Sequence, residues 1–143
     1  MPRTQIPQSR WRPAGWLAIL ILGVSSSFPT PAADESPARL VYVVREGDVV
    51  VASNVLFSRS DELKLFAQET ILRQEEDNAI VVLLTNRRLV AYSVYTAGWV
   101  TMDLRAGEQL ERLEAEDYSA FALTSRRILN FNGKNGSWSQ TSR

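Results

Sequence analysis

Two arginine pairs, Arg87-Arg88 and Arg126-Arg127, stand 39 residues apart, each just after a threonine, Thr85 or Thr124. A guanidinium is planar and permanently charged, and it can grip a carboxylate or phosphate through two parallel N–H bonds. Four of them on recurring turns would form an anion-binding rim. The plainer use of the same residues is a solvated hairpin turn, or pairing with Glu75 and Glu114 on a neighbouring strand. Trp99 and Trp138 recur at the same interval. Each could stack on a sugar or peptide, or fill the seam between adjoining repeats. The acidic runs Glu75-Glu76-Asp77 and Glu114-Ala115-Glu116-Asp117 could offer oxygen ligands to calcium. They lack the alternating Asp/Asn and the glycine of a calcium loop, and read better as solvated strand ends.

The rest of the inventory excludes more than it offers. The 143 residues contain no histidine and no cysteine, so the usual general base, thiol nucleophile and imidazole or thiolate metal ligands are missing. No glycine-rich phosphate loop, nucleophile elbow or serine–base constellation is present. The expectation is a non-enzymatic protein without cofactor or metal. A carboxylate-based hydrolase is the remote alternative, and it would need two carboxyl groups about 5–9 Å apart in a cleft. The formal charge is zero, but Arg3, Arg10 and Arg12 precede the first acid, Asp34. Beyond that point thirteen basic residues face sixteen acidic ones, a net of −3 that gives no reason to expect nucleic acid.

The elements that must carry these residues repeat. Glu69 to Val100 can be laid over Glu108 to Ser139 without a gap, with 8 of 32 positions identical. About 2 would match by chance. The identical pairs are Glu69/Glu108, Arg73/Arg112, Glu75/Glu114, Leu84/Leu123, Thr85/Thr124, Arg87/Arg126, Arg88/Arg127 and Trp99/Trp138. One period earlier, Val41–Val44 falls under Ile80–Leu83 and Val50–Ala52 under Leu89–Ala91, a first copy without the arginine pair or the tryptophan. Each copy holds two short apolar runs rich in valine, isoleucine and aromatics around a polar turn, the pattern of a β-hairpin. A further strand is expected at each tryptophan. Leu129 and Phe131 should share a buried face, with Val90 and Tyr92 as counterparts, and Leu84, Val90, Leu123 and Phe131 are the expected core. Between the hairpins, Ser60–Glu76 places Leu63, Phe66, Ala67 and Ile71 at helical spacing with acids in the first turn. A helix over 61–75 therefore competes with strands there. The register with Met102 and Leu104, and Gly107 in the next copy, favour strands.

Ahead of the repeats come three arginines, the apolar stretch Trp16–Val24, three serines and small residues ending at Ala32-Ala33. That is the order of a secretory signal. Nine apolar residues reach only about 14 Å as a helix against a hydrocarbon core of about 30 Å, so cleavage is expected over a membrane anchor. The expected organisation is a signal peptide over 1–33, a linker over 34–39 and a β-repeat domain over 40–143, in the periplasm or secreted. Membrane contact would follow only if the leader stayed uncleaved.

A period near 40 with several short strands and one tryptophan per copy resembles the blade repeat of β-propellers. The stretch Leu84-Thr-Asn-Arg-Arg-Leu-Val90, with Leu123-Thr-Ser-Arg-Arg-Ile-Leu129, is also similar to the strand-turn-strand motif of bacterial pleckstrin-homology-like domains. That second resemblance implies an α+β barrel with a helix near 61–75. The duplication favours blades, so the expected fold is all-β with three degenerate antiparallel repeats. Three copies are fewer than the four to eight blades of a closed propeller. The expected function is binding of a protein partner, or self-association through open repeat edges, in which the apolar Leu40–Val44 end would take part. A carbohydrate or cell-wall ligand, held by Arg87, Arg88, Arg126, Arg127, Trp99 and Trp138, is the alternative.

Overall fold

A computed structural model describes residues 38–143. The leader and most of the 34–39 linker lie outside the described residues. Three antiparallel sheets follow one another along the chain. The first holds β1 (Val41–Glu46), β2 (Val49–Asn54) and β3 (Arg59–Lys64). The second holds β4 (Ile71–Asp77), β5 (Ile80–Thr85), β6 (Arg88–Ser93) and β7 (Trp99–Asp103). The third holds β8 (Leu110–Glu116), β9 (Ser119–Thr124), β10 (Arg127–Asn132) and β11 (Ser137–Ser142). Within each sheet the strands lie in chain order, as hairpins joined by short turns must. The fold is all-β with three blade-like repeats, and a strand opens at Trp99 and beside Trp138.

Strand alternation decides how the sheets stack. In β5 and β6 every residue is buried, because both faces of the second sheet are covered. Val81, Leu83, Val90, Tyr92 and Val94 meet Val41, Val50, Ala52 and Leu63 of the first sheet. Ile80, Val82, Leu84, Leu89 and Ala91 meet Leu113, Ala120, Ala122, Leu129 and Phe131 of the third. Of the four expected core residues, Leu84, Val90 and Phe131 are buried. Leu123 is only half-buried, because it alternates with the inward Ala122 and so faces the side of the third sheet that no described sheet covers.

The helix considered for 61–75 is not formed. β3 ends at Lys64, the chain reverses, and β4 begins at Ile71. The reversal is pinned at both ends of Glu69: its N–H donates to Phe66 O at 3.0 Å, and its carboxylate accepts the Phe66 N–H at 2.8 Å. Gln68 takes a positive φ of 63°, and Gly107, one period on, has 72°. A left-handed residue stops a right-handed helix, so the apolar spacing was overridden by the turn.

One glycine is required by space. A Cβ on Gly133 would lie 2.6 Å from Tyr118 O and 2.9 Å from both Ile80 Cγ2 and Ser93 Oγ. The equivalent residue in the second sheet is Val94, fully buried yet accommodated. The difference lies in the side chain that bridges the sheets. Asn54 Nδ2 reaches Val94 O at 2.8 Å, whereas the shorter Ser93 Oγ reaches Gly133 O at 2.6 Å and draws the backbones closer. Gly133→Ala is therefore expected to cost about 1–3 kcal/mol by overpacking, read from the urea midpoint, whereas Gly47→Ala meets no neighbour and its cost, about 1–2 kcal/mol, comes from holding the left-handed φ of 64°.

Candidate functional site

Arginine placement divides the expected rim in two. Arg88 and Arg127 turn inward and are buried, whereas Arg87 and Arg126 are exposed. Arg88 grips Glu69 in a bidentate pair, Nε to Oε1 at 2.7 Å and Nη2 to Oε2 at 3.0 Å. The Thr85 hydroxyl donates to Glu69 Oε1 at 2.8 Å and accepts the Arg88 N–H at 3.0 Å. One period on, Arg127 grips Glu108 at 2.8 and 2.9 Å, and Thr124 donates to Glu108 at 2.6 Å. Each guanidinium also crosses to the preceding sheet, Arg88 to Lys64 O at 3.4 Å and Arg127 to Asp103 O at 2.6 Å. The plainer expectation named the wrong acids. Glu75 and Glu114 pair instead with Arg73 and Arg112, in both cases at 2.7 Å, on the exposed part of β4 and β8.

Electrostatics confirms how strongly the buried carboxylates are held. Burial alone would push the Glu69 carboxyl up, but the bonds from Arg88, the Phe66 N–H and Thr85 outweigh it and bring it down to about 2. Around Glu108 the bond from Arg127 leads, burial opposes it, and the carboxyl again sits at about 2. Both oxygens of each carboxylate are taken up in this way, while Arg88 also stacks over the Phe66 ring at 4.3 Å and lines an open groove beside Arg87.

Trp99 and Trp138 lie in the seams. Trp99 donates its indole N–H to Asp61 O in the first sheet at 3.1 Å, and its ring centre is 5.2 Å from Tyr92. Trp138 donates to Val100 O in the second sheet at 3.3 Å, with its ring 5.2 Å from Phe131. Tyr92 donates to Asp61 Oδ2 at 2.8 Å, and burial together with that bond pushes its hydroxyl up to about 12. Arg73 Nη2 reaches Leu113 O at 3.2 Å, and the Asp117 N–H reaches Asp77 Oδ2 at 2.8 Å, so Arg73 and Asp117 also join sheets.

Six residues were expected to share a binding surface. The structure brings Arg88 to the first seam with Trp99, and Arg127 to the second with Trp138. It leaves Arg87 and Arg126 on the outer turns, where Arg87 lies 5.8 Å from the Phe66 ring centre and shares an open groove with Arg105. Glu69, Glu108, Thr85 and Thr124 were not expected to matter, although all four stand among the residues identical between the copies.

No protein-family model matches the chain, and no curated protein matches it. Among solved structures it is similar to the crystal structure of HIRA(644-1017), with a TM-score of 0.42 and 10% identity over 75% of this chain and 39% of that one. It is also similar to the N-terminal domain of Nup159, with a TM-score of 0.39 and 11% identity over 73% of this chain and 31% of that one. The chain spans less than half the length of either.

Proposed function

We propose that the chain is a non-enzymatic protein-interaction module that works outside the cytoplasm and binds through the outer faces of its sheet stack. The observation that carries this reading is a cluster on the first sheet. Tyr42, Val44, Val55, Leu56 and Phe57 are each about half exposed, on β1 and on the β2–β3 turn. Large apolar side chains gathered and exposed on one sheet mark a place where another macromolecule sits. The interior chemistry agrees: the buried ion pairs and both indole N–H groups are engaged in holding sheets together. The exposed Arg87 and Arg126 give the module a basic end that would orient an acidic partner.

The location outside the cytoplasm rests on the arginine-rich start, the short apolar core and the small residues after it. The mass of the protein recovered from cell fractions should correspond to a start near Ala33 or Asp34 in the envelope or medium. An intact Met1 in the cytoplasmic fraction would refute export. For binding, cross-linking in the envelope fraction should join the wild-type chain to a partner, and Val44→Asp with Phe57→Asp should abolish that product. Retention of the product by the double variant would refute binding through this face.

A further inference from the structure

We propose that two copies of this chain join through the third sheet of one and the first sheet of the other, repeating between chains the seams found within each. The inference rests on the reading of the outer faces as interaction surfaces and names their occupant.

Residues 54, 93 and 132 are equivalent positions one period apart. The first two send a side chain across a seam to a backbone carbonyl, Asn54 to Val94 O and Ser93 to Gly133 O. Asn132 is the third of the set, exposed, with no further described sheet beyond it. The position that would answer it, one step further round the repeat, is Val55 at the start of the next copy. The side-chain types match. A long Asn bridges to a valine in the first seam, a short Ser bridges to a glycine in the second, and Asn132 with Val55 restores the long bridge and the valine.

The two outer faces also match each other better than either matches an internal seam. Within the chain, apolar contact runs to the last strand of each sheet, where Trp99, Val100, Met102 and Trp138 pack. On the outer face of the third sheet the apolar residues are Phe121, Leu123 and Ile128 on β9 and β10. Towards β11 they give way to Asn130, Ser139 and Thr141, where the second sheet has Ala91, Val100 and Met102. The outer face of the first sheet has the same division. Tyr42, Val44 and Val51 lie on β1 and β2, while Ser53 and Ser60 stand where the second sheet has Tyr92 and Trp99. Their hydroxyls, 3.3 Å apart, replace the ring pair. A tryptophan-bearing sheet from a different protein would set its indole against the polar Ser139 and Thr141. The first sheet of a second copy sets serine there, and lays Tyr42, Val44 and Val51 over Phe121, Leu123 and Ile128. Two such junctions, related by a two-fold axis, cover all four outer faces and close the assembly.

The chain has no cysteine, so introduced thiols report only on the chosen pair. Purified full chain carrying Val55→Cys and Asn132→Cys, mildly oxidised, should give a covalent dimer. A second chain carrying Asn54→Cys and Val94→Cys should close the equivalent bond within one molecule and calibrates the geometry. Adding Val44→Asp should reduce the interchain product about tenfold or more, equivalent to about 1.4 kcal/mol, and leave the internal bond unaffected. Light scattering on the unsubstituted full chain should give a dimer. A monomer there, or an internal bond that forms while the interchain one does not, would overturn the proposal. A ladder of higher oligomers would overturn two-copy closure. If the chain proves monomeric while Val44→Asp with Phe57→Asp still abolishes cross-linking to an envelope partner, the interaction-module reading stands and only the second copy falls.

Discussion

Glu69→Ala should lower the unfolding free energy by about 3–5 kcal/mol, because it leaves the Arg88 guanidinium buried without its counter-charge. The same chain supplies the control. Glu75→Ala removes an equally short ion pair, Arg73 to Glu75, but both side chains are partly exposed, and the expected loss is about 0–1 kcal/mol. Arg87→Ala should likewise stay within about 0.5 kcal/mol. Urea unfolding of the three variants beside the wild type decides the matter, and a loss for Glu69→Ala no greater than for Glu75→Ala would defeat the assignment. Acid supplies a second reading of the same pair. The carboxyls of Glu69 and Glu108 are held at about 2, against an ordinary value of 4.5. A depressed folded-state carboxyl stabilises fully above its unfolded value, and that stabilisation is lost as pH falls from about 4.5 towards about 2. Wild-type stability should therefore drop across that window, and Glu69→Gln should show a shallower drop because one of the two deeply depressed glutamates no longer contributes.

Phe131→Ala is expected to cost about 3–5 kcal/mol, the range for removing a large buried ring. Phe131 is 1% exposed, packs in the seam between the second and third sheets, and supports the Trp138 ring. Phe121, ten residues earlier on the outer face, is only half-buried, so Phe121→Ala should cost about 1 kcal/mol in dilute solution. Thermal or urea unfolding of the two variants at equal low concentration makes the comparison. Equal losses would mean that the inward and outward faces of the third sheet have been confused.

Much of this architecture was legible because β-structure writes itself locally. The alternation of Leu129, Asn130 and Phe131, and the recurrence of Trp99 and Trp138, depend only on neighbours in the chain and on a fixed period. Three features were not legible for the opposite reason. The reversal at 65–70 contains good helix formers, and its left-handed residue is a glutamine, Gln68, so its turn character is visible only through Gly107 one period later. Glu69 looks like an ordinary acid in the middle of a helix, and its partner is 19 residues away, a pairing that depends on depth in the seam. Leu123 is chemically the equal of Leu84, and only the absence of a further described sheet separates their burial. The Glu–Thr–Arg set was present among the identical pairs, and a charged pair retained in both copies while most neighbours changed was the available signal.

Most of the side-chain bonds between sheets share a feature with a longer reach. Asn54, Arg73, Arg88, Ser93, Trp99, Arg127 and Trp138 all cross a seam, and each of those crossings has a main-chain carbonyl as acceptor: Val94, Leu113, Lys64, Gly133, Asp61, Asp103 and Val100 respectively. Any residue placed at such a position supplies the same oxygen. A sheet can therefore recognise its neighbour by backbone shape while ignoring most of its sequence. Duplicated units joined in this way are free to drift apart, which is how two copies sharing 8 of 32 residues still stack alike. For an engineer the units are interchangeable parts: a sheet could be inserted, deleted or exchanged with a relative, provided that the bridging side chain and the bulk of the residue facing it are changed together.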